Sequence, residues 1–175
     1  MARHPNMIQL SEVPVEEMKV PEGSSFGGSR QRVGAVIGAK KLGYSFFTVP
    51  PGKAAFPFHS HHTNEEMIYI FEGEGLLRIG KAEVKVSAGM FIAFPSGADH
   101  PHQLINMSER DLRYLCVSTM EYPEIAEYPD SNKIGAYMSG PTGGGFRALY
   151  RKDANVSYYD GENGREIERI KKSAK

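Results

Sequence analysis

Five of the six histidines in this chain of 175 residues lie between positions 59 and 102. Two of them, His59 and His61, are two residues apart. On a β-strand such a pair directs both imidazoles to one face, whereas the adjacent His62 points to the opposite face. Because imidazole nitrogens bind divalent transition metals, this spacing predicts that His59 and His61 contribute to a metal site.

A carboxylate can complete the site a few residues farther along the chain. Glu66 opens an apolar run, residues 67–71, so we expect it at the start of the next strand with its side chain facing inward. Glu65 is the alternative. A second group, residues 89–106, offers one more histidine from a different strand.

The ligand types restrict the metal without selecting it. Imidazole plus carboxylate suits one divalent ion of Mn, Fe, Ni, Co, Cu or Zn. The single cysteine, Cys116, lies in an apolar run and is interpreted as a buried small hydrophobe. A thiolate site is therefore excluded.

The segments that must hold these side chains are short. Nineteen glycines and eleven prolines divide the chain, and between them lie short runs rich in Val, Ile, Phe, Tyr and Leu. Many short strands with turn residues between them predict an all-β sandwich or barrel. The candidate strands are residues 33–37, 44–49, 66–71, 76–79, 83–86, 91–94, 102–107 and 112–119.

The two ends of the chain differ from this pattern. Residues 1–30 are expected to form an N-terminal arm, residues 31–120 the barrel, and residues 121–175 a C-terminal extension. Within the extension, three prolines and a triple glycine predict a long irregular connection over 121–145. A last strand is predicted at 146–150 and a short helix at 166–172.

Composition excludes several classes of partner. The formal net charge is zero, and the basic pair Lys171 and Lys172 follows acidic residues, which is typical of a solvated helix face. We therefore expect no nucleic-acid partner. With no apolar run of about 18 residues and no signal-peptide pattern at the start, we expect no membrane segment and a cytoplasmic location. A lone cysteine is consistent with a reducing compartment.

Together these residues resemble the cupin superfamily. Its first motif is commonly written G-x5-HxH-x3,4-E-x6-G. Here Gly52 precedes His59 and His61, four residues lead to Glu66, and six more lead to Gly73. Gly52 stands one residue farther from His59 than the motif states. The spacing to Gly73 favours Glu66 over Glu65, from which the gap would be seven.

The second cupin motif is G-x5-PxG-x2-H-x3-N. Gly89, residues 95–97 and His100 match its first part, and His102 and Asn106 match its last part. Because two extra residues are present, the motif's histidine is either His100 or His102. We favour His102, which heads an apolar strand, because Pro101 interrupts any strand at His100.

The resemblance covers about residues 42–120 and implies a double-stranded β-helix, a jelly-roll-like barrel. The whole chain is also similar to single-domain bacterial cupins with a C-terminal extension, a subgroup often named sugar-phosphate-isomerase-like. The implied metal ligands are His59, His61, Glu66 and His102, whereas no catalytic residue is identified. Asp99 and Asp111 are candidates for orienting the imidazoles.

The implied function is that of a metal-binding cupin enzyme. It would act on a small oxygen-rich molecule by dioxygenase, decarboxylase or isomerase chemistry, with the ion as Lewis acid or dioxygen site. The alternatives are a non-catalytic cupin that binds a sugar or carboxylate, and a metal-free isomerase. Since open-edged barrels often pair, and the arm could add a strand to a partner as in that family, we expect a homodimer.

Overall fold

Turn residues at short intervals produce short strands, as the sequence predicts. The computed structural model describes residues 4–138 and 145–174, and within them it contains 13 strands, nearly all antiparallel to their neighbours. Along the chain these are β1 (Glu16–Glu17), β2 (Ser29–Gln31), β3 (Leu42–Val49), β4 (Ser60–His61), β5 (Glu66–Glu72), β6 (Glu74–Ile79), β7 (Ala82–Ser87), β8 (Phe91–Phe94), β9 (His102–Ile105), β10 (Leu112–Thr119), β11 (Glu124–Tyr128), β12 (Lys133–Tyr137) and β13 (Arg147–Arg151).

Helical segments are few and short in the described part of the chain. They are α1 (Val33–Val36), α2 (Arg165–Ser173) and three 3₁₀ turns at Leu10–Glu12, Pro129–Ser131 and Lys152–Ala154. None of these helices is long and apolar enough to cross a membrane.

The strands form three sheets. The largest has the order β1-β2-β3-β10-β5-β8, a second has the order β7-β6-β9, and a third has the order β13-β12-β11-β4. Gly73 connects β5 of the first sheet to β6 of the second with a positive φ of 87°. A Cβ at this position would lie 2.6 Å from the carbonyl oxygen of Asp111, so this close turn requires glycine.

The core lies between the six-stranded and three-stranded sheets. Ile68 and Ile70 of β5, together with Phe94 of β8, pack with Leu77 and Leu104 of the smaller sheet. Side chains alternate along a strand, so the residue two before Ile68, which is Glu66, shares their inward face. The predicted strand over 66–71 is thus confirmed, and it carries a carboxylate into the barrel.

The first predicted strand is wrong. Residues 33–37 contain the single helical turn α1 instead. Because β2 and β3 are antiparallel neighbours, the intervening chain must reverse its direction. Gly34 allows this turn to pack tightly, since a Cβ there would lie 3.2 Å from the backbone nitrogen of Tyr44.

The predicted irregular connection over 121–145 is also wrong. Strands β11 and β12 occupy much of it and pair with each other, and β11 also pairs with β4. Pro123 and Pro129 lie just outside the ends of β11 and therefore remove no bond from its ladder. Residues 139–144 of this segment lie outside the described part of the chain. The last predicted strand and the terminal helix are confirmed as β13 and α2.

Asn106, the final residue of the second motif, fixes the loop after β9. Its side chain is fully buried, and its Nδ2 donates to the carbonyls of Val49 and Arg110 at 2.8 and 2.7 Å. Its Oδ1 accepts hydrogen bonds from the backbone nitrogen and the hydroxyl of Ser108. One amide thus joins three chain segments.

We predict that Asn106→Ala lowers the free energy of unfolding by roughly 2–3 kcal/mol, because it leaves several buried backbone groups without partners. Urea denaturation measures this change. Asn155→Ala, at an exposed position, is the control and should change stability by less than about 0.5 kcal/mol. Equal effects of the two substitutions would contradict the assigned role.

Candidate metal site

The segment that contains His59 and His61 lies between strands of two sheets. On one side, His59 and His102 form an antiparallel bridge, with backbone hydrogen bonds of 3.1 and 2.8 Å. On the other side, His61 pairs with Ala126 of β11. These two attachments hold the segment extended, so the side chains of His59 and His61 share the inward face.

Each of the three inward histidines has its Nδ1 atom held by an oxygen. His59 Nδ1 lies 2.8 Å from the carbonyl oxygen of Pro57, and His102 Nδ1 lies 3.1 Å from that of His100. Because a carbonyl oxygen only accepts, both Nδ1 atoms carry a hydrogen, so Nε2 is the atom of each ring that could bind a cation when the ring is neutral. His61 Nδ1 faces a carboxylate, Glu124 Oε1, at 3.3 Å.

The Nε2 atoms of two of the rings lie close to Glu66. Glu66 Oε2 lies 3.3 Å from His102 Nε2 and 3.5 Å from His61 Nε2. Donor atoms of His59, His61 and Glu66 all lie within 4.8 Å of one another. The His102 ring lies 4.7 Å from the His59 ring and stacks on Phe94 at 3.7 Å. The structure thus brings together all four predicted side chains, while their role as metal ligands stays a prediction.

Burial and proximity determine the charges in this cluster. Burial, reinforced by His102 and His61, lowers the pKa of His59 to about 4, so this ring is neutral near pH 7. Burial opposes the charge of His61 as well, but hydrogen bonds to Glu124 and Glu66 raise its pKa to about 9. Burial would raise the pKa of Glu66, yet hydrogen bonds from His102 and His61 hold it well below its usual range. The cavity therefore contains an ionised carboxylate that attracts a cation.

This donor set fits a divalent transition metal. Three imidazole nitrogens and one carboxylate oxygen are ligands of the borderline type that such ions accept. The thiol of Cys116 lies 3.9 Å from Glu66 Oε1, and burial, together with the Glu66 charge, raises its pKa well above the usual value. Cys116 packs against the core as a small hydrophobe, as predicted, although it also lines the cavity.

The alternatives weighed from the sequence lie elsewhere. His100 contributes its backbone carbonyl to the Nδ1 of His102. Glu65 is exposed, and its backbone nitrogen bonds to Thr119. His62 points outward, as predicted, and its Nε2 lies 2.7 Å from Glu127 Oε1 at the surface.

Sequence reasoning missed Glu124. This carboxylate is 3% exposed and accepts hydrogen bonds from the backbone nitrogens of residues 62, 63 and 64 and from the Asn64 amide, besides facing His61. Asp99 and Asp111, the candidates for this orienting role, are both exposed. Residues 124–128 lack a regular alternation of polar and apolar side chains, and the flanking prolines predict an irregular connection, so the sequence carries no signal for this strand.

A cavity of about 390 Å³ opens beside the cluster. Its volume is in the range of small-molecule sites. Phe47 and Phe56 contribute to an apolar wall, whereas Tyr128, Tyr137 and Arg147 of the C-terminal sheet contribute polar groups. The ring of Tyr128 lies parallel to that of His59 at 6.1 Å, so the C-terminal sheet borders the cluster directly.

Comparison with known proteins points to one family. The family model described as "Cupin domain" matches residues 45–118. An uncharacterised protein of Methanocaldococcus jannaschii is 35% identical over 74 residues, which are 42% of this chain. The chain spans 57% of the length of that curated relative.

Solved structures extend the similarity to most of the chain. A cupin-superfamily protein of Silicibacter pomeroyi, named a sugar phosphate isomerase, has a TM-score of 0.74 and 24% identity, covering 88% of this chain and 98% of its own. The polyketide cyclase RemF of Streptomyces resistomycificus has a TM-score of 0.57 and 23% identity, covering 71% of this chain and 84% of its own. At these identities the similarity establishes the fold alone.

We predict that Glu124→Gln destabilises the protein by at least about 2 kcal/mol, because an amide cannot accept all the hydrogen bonds that this carboxylate receives. The same change should weaken Zn²⁺ binding about 10- to 100-fold, since it removes the charge that orients His61. Denaturation and metal titration measure the two effects.

Glu127→Gln is the matched control, because it removes a carboxylate from the same strand that contacts His62 and Lys152 at the surface. Its expected cost is about 1 kcal/mol or less, with unchanged zinc affinity. If both variants bound zinc like the wild type, Glu124 would have no orienting role.

Proposed function

We propose that this protein, whose residues 45–118 match the cupin domain model, is a metal-dependent enzyme acting on a small oxygen-rich molecule. The reaction would be of the isomerase, decarboxylase or dioxygenase type. The observation that carries this proposal is the convergence of three histidines and the Glu66 carboxylate on one side of an open cavity.

The ion would be one divalent Mn, Fe, Co, Ni, Cu or Zn, held by His59, His61, Glu66 and His102. When bound, it would supply a Lewis acid or a site for dioxygen. The hydrogen-bond pattern supports this ligand set, because two rings donate their Nδ1 hydrogen to fixed carbonyls and therefore direct Nε2 toward the cluster. The ionised Glu66 supplies the matching negative charge.

Other side chains of the cavity would bind and orient the substrate. Burial, together with a hydrogen bond to Tyr137, raises the pKa of Tyr128, so its hydroxyl keeps its proton near pH 7. A protonated phenol donates a hydrogen bond to a substrate oxygen. Phe47 and Phe56, which stack edge to face at 5.3 Å, would cover the apolar side of the substrate and exclude water.

A second candidate is a non-catalytic cupin that binds a sugar or a carboxylate. The protonation of two side chains in the cavity favours this candidate. Burial raises the pKa values of Cys116 and Tyr128, so both keep their protons near pH 7. Neither group can act as a general base near pH 7. In this case the ion would only position the ligand.

We predict that the purified protein takes up one divalent ion per chain and that His61→Ala abolishes this stoichiometric uptake, because it removes a central ligand. Elemental analysis after reconstitution with each metal measures the content. His62→Ala is the matched control and should keep full uptake, since its ring faces Glu127 at the surface. Unchanged uptake by His61→Ala would refute the ligand assignment.

Assays of the reconstituted protein separate the two candidates. Turnover of a sugar phosphate, a diketone or a dicarboxylate that is lost in His61→Ala supports the enzyme. Full metal content without turnover across these substrates supports the binding protein. A wild type that takes up no ion but isomerises a sugar phosphate would point to a metal-free isomerase.

We also propose that two copies of the chain associate. In the described residues, β8 is an edge strand of the six-stranded sheet, and Phe91 on it is 71% exposed, with its ring 4.5 Å from that of Tyr69 on β5. Phe71 of β5 is also exposed. Exposed aromatic side chains at an open edge favour pairing. The N-terminal strands β1 and β2 extend the opposite edge of the same sheet.

Light scattering is predicted to give a mass about twice the 19.4 kDa of one chain. The dimer would be favoured because it covers apolar surface that one chain exposes. A single species near 19.4 kDa at all concentrations would contradict the proposal.

A further inference from the structure

Three strands of the C-terminal sheet place a row of polar side chains beside the cavity. Glu124 of β11 lies opposite Tyr137 of β12, and Tyr137 lies opposite Arg147 of β13. Residues directly opposite each other in antiparallel strands share one face of the sheet. Glu124, which faces His61, therefore shares its face with Tyr137 and Arg147, and all three line the cavity.

Contacts between aromatic rings and hydroxyls link this row to the histidines. The guanidinium of Arg147 lies 4.6 Å from the centre of the Tyr137 ring. The hydroxyl of Tyr137 lies 3.0 Å from that of Tyr128, whose ring lies parallel to His59. A series of donor groups thus extends from the mouth of the cavity to the metal-binding cluster.

Gly135 allows Tyr137 to adopt this position. A Cβ on Gly135 would lie 2.5 Å from the Tyr137 hydroxyl and 2.8 Å from the carbon that carries it. The tyrosine ring therefore folds over the glycine and lies against the sheet. This placement directs the hydroxyl of Tyr137 toward Tyr128 and leaves the outer side of the ring to Arg147.

The charge of Arg147 has no acidic partner in the part of the chain that the structure describes. Among the ion pairs within 4.0 Å there, Arg30, the other arginine that lines the cavity, contacts Glu16, whereas Arg147 contacts no carboxylate. An arginine stacked on a tyrosine ring keeps its N–H donors free at the ring's edge. These donors are available to a ligand.

Charge pairing in the cavity leaves Arg147 available to an anion. Glu66 and Glu124 both face His61, and Arg30 is paired with Glu16. The divalent ion of the proposed function would add two positive charges, which an anionic ligand would offset. A guanidinium together with hydroxyl donors is a typical binding arrangement for phosphate or carboxylate.

We propose that Arg147, together with the hydroxyls of Tyr137 and Tyr128, binds a phosphate or carboxylate group of the molecule that occupies the cavity. The molecule is then an anion with oxygen atoms at both ends, one end held by Arg147 and the other facing the histidines and Glu66. The orientation of the other end toward the histidines and Glu66 rests on the proposed function. The anion subsite at Arg147 does not, because Arg147 and the two hydroxyls need no metal to bind an anion.

Calorimetric titration with inorganic phosphate and with acetate tests the subsite on metal-free and zinc-loaded protein. Arg147→Gln should weaken phosphate binding about tenfold or more in both forms, because it removes a charged donor. Arg147→Lys should give an intermediate loss, since it keeps the charge but not the planar fork. Tyr137→Phe, which keeps the ring, should weaken binding only a few-fold.

Arg151→Gln is the matched control. Arg151 is an exposed arginine of the same strand, opposite Lys133 of β12 in the strand register, and it does not line the cavity. Its substitution by glutamine removes the same charge as Arg147→Gln. It should change phosphate affinity less than about twofold. Equal losses in Arg147→Gln and Arg151→Gln would overturn the proposal, as would the absence of saturable binding of either anion to the wild type up to about 20 mM.

Zinc content, measured on the same samples, separates this inference from the proposed function. A wild type that holds no zinc but binds phosphate through Arg147 removes the metal mechanism and keeps the anion subsite. If the wild type holds one zinc and Arg147→Gln binds phosphate as tightly as the wild type, the metal site is kept and the anion subsite is removed. Tighter binding of phosphate than of acetate identifies the anionic group as phosphate, and the opposite order identifies it as carboxylate.

Discussion

The site depends on the carboxylate of Glu66, whose side chain is 16% exposed. It projects into the barrel on the same face as Ile68 and Ile70, where an ionised group is stable only beside compensating charge or hydrogen-bond donors. His61 and His102 provide that compensation within 3.5 Å. The neighbouring strands therefore have to place ring nitrogens around Glu66. The backbone bridge between His59 and His102 holds two of the histidines next to each other at this position.

His61 connects this carboxylate to a second one. Glu66 lies on its Nε2 side and Glu124 on its Nδ1 side, so the orientation of the ring is fixed. The same two carboxylates raise the pKa of His61 to about 9. Glu124 in turn binds the backbone of residues 62–64, which determines where the histidine segment ends. The C-terminal sheet is therefore structurally part of the site, although a boundary drawn at residue 120 would separate it from the barrel.

The similarity to the cupin family model does not by itself specify a reaction. Similar structures have the names of an isomerase and a cyclase, at identities that establish only the shared fold. Strands β11, β12 and β13 add a wall to the cavity. It places Tyr128, Tyr137 and Arg147 where a ligand would contact them, so the choice of ligand is expected to depend on the extension more than on the barrel.

The sequence by itself predicted the all-β class, the resemblance to the cupin superfamily and the four side chains that the structure brings together, because strand alternation and motif spacing are local properties. The choice of His102 over His100 as the predicted ligand rests on the neighbouring Pro101, which is also a local feature of the sequence. Only the tertiary structure decided that Glu124 orients His61, since the two residues are 63 positions apart and meet through the pairing of β4 with β11. The tertiary structure also decided the position of Arg147, which depends on the register of two further strands. It likewise decided that α1 is helical, because the chain must reverse between β2 and β3 although residues 33–37 have the composition of a strand.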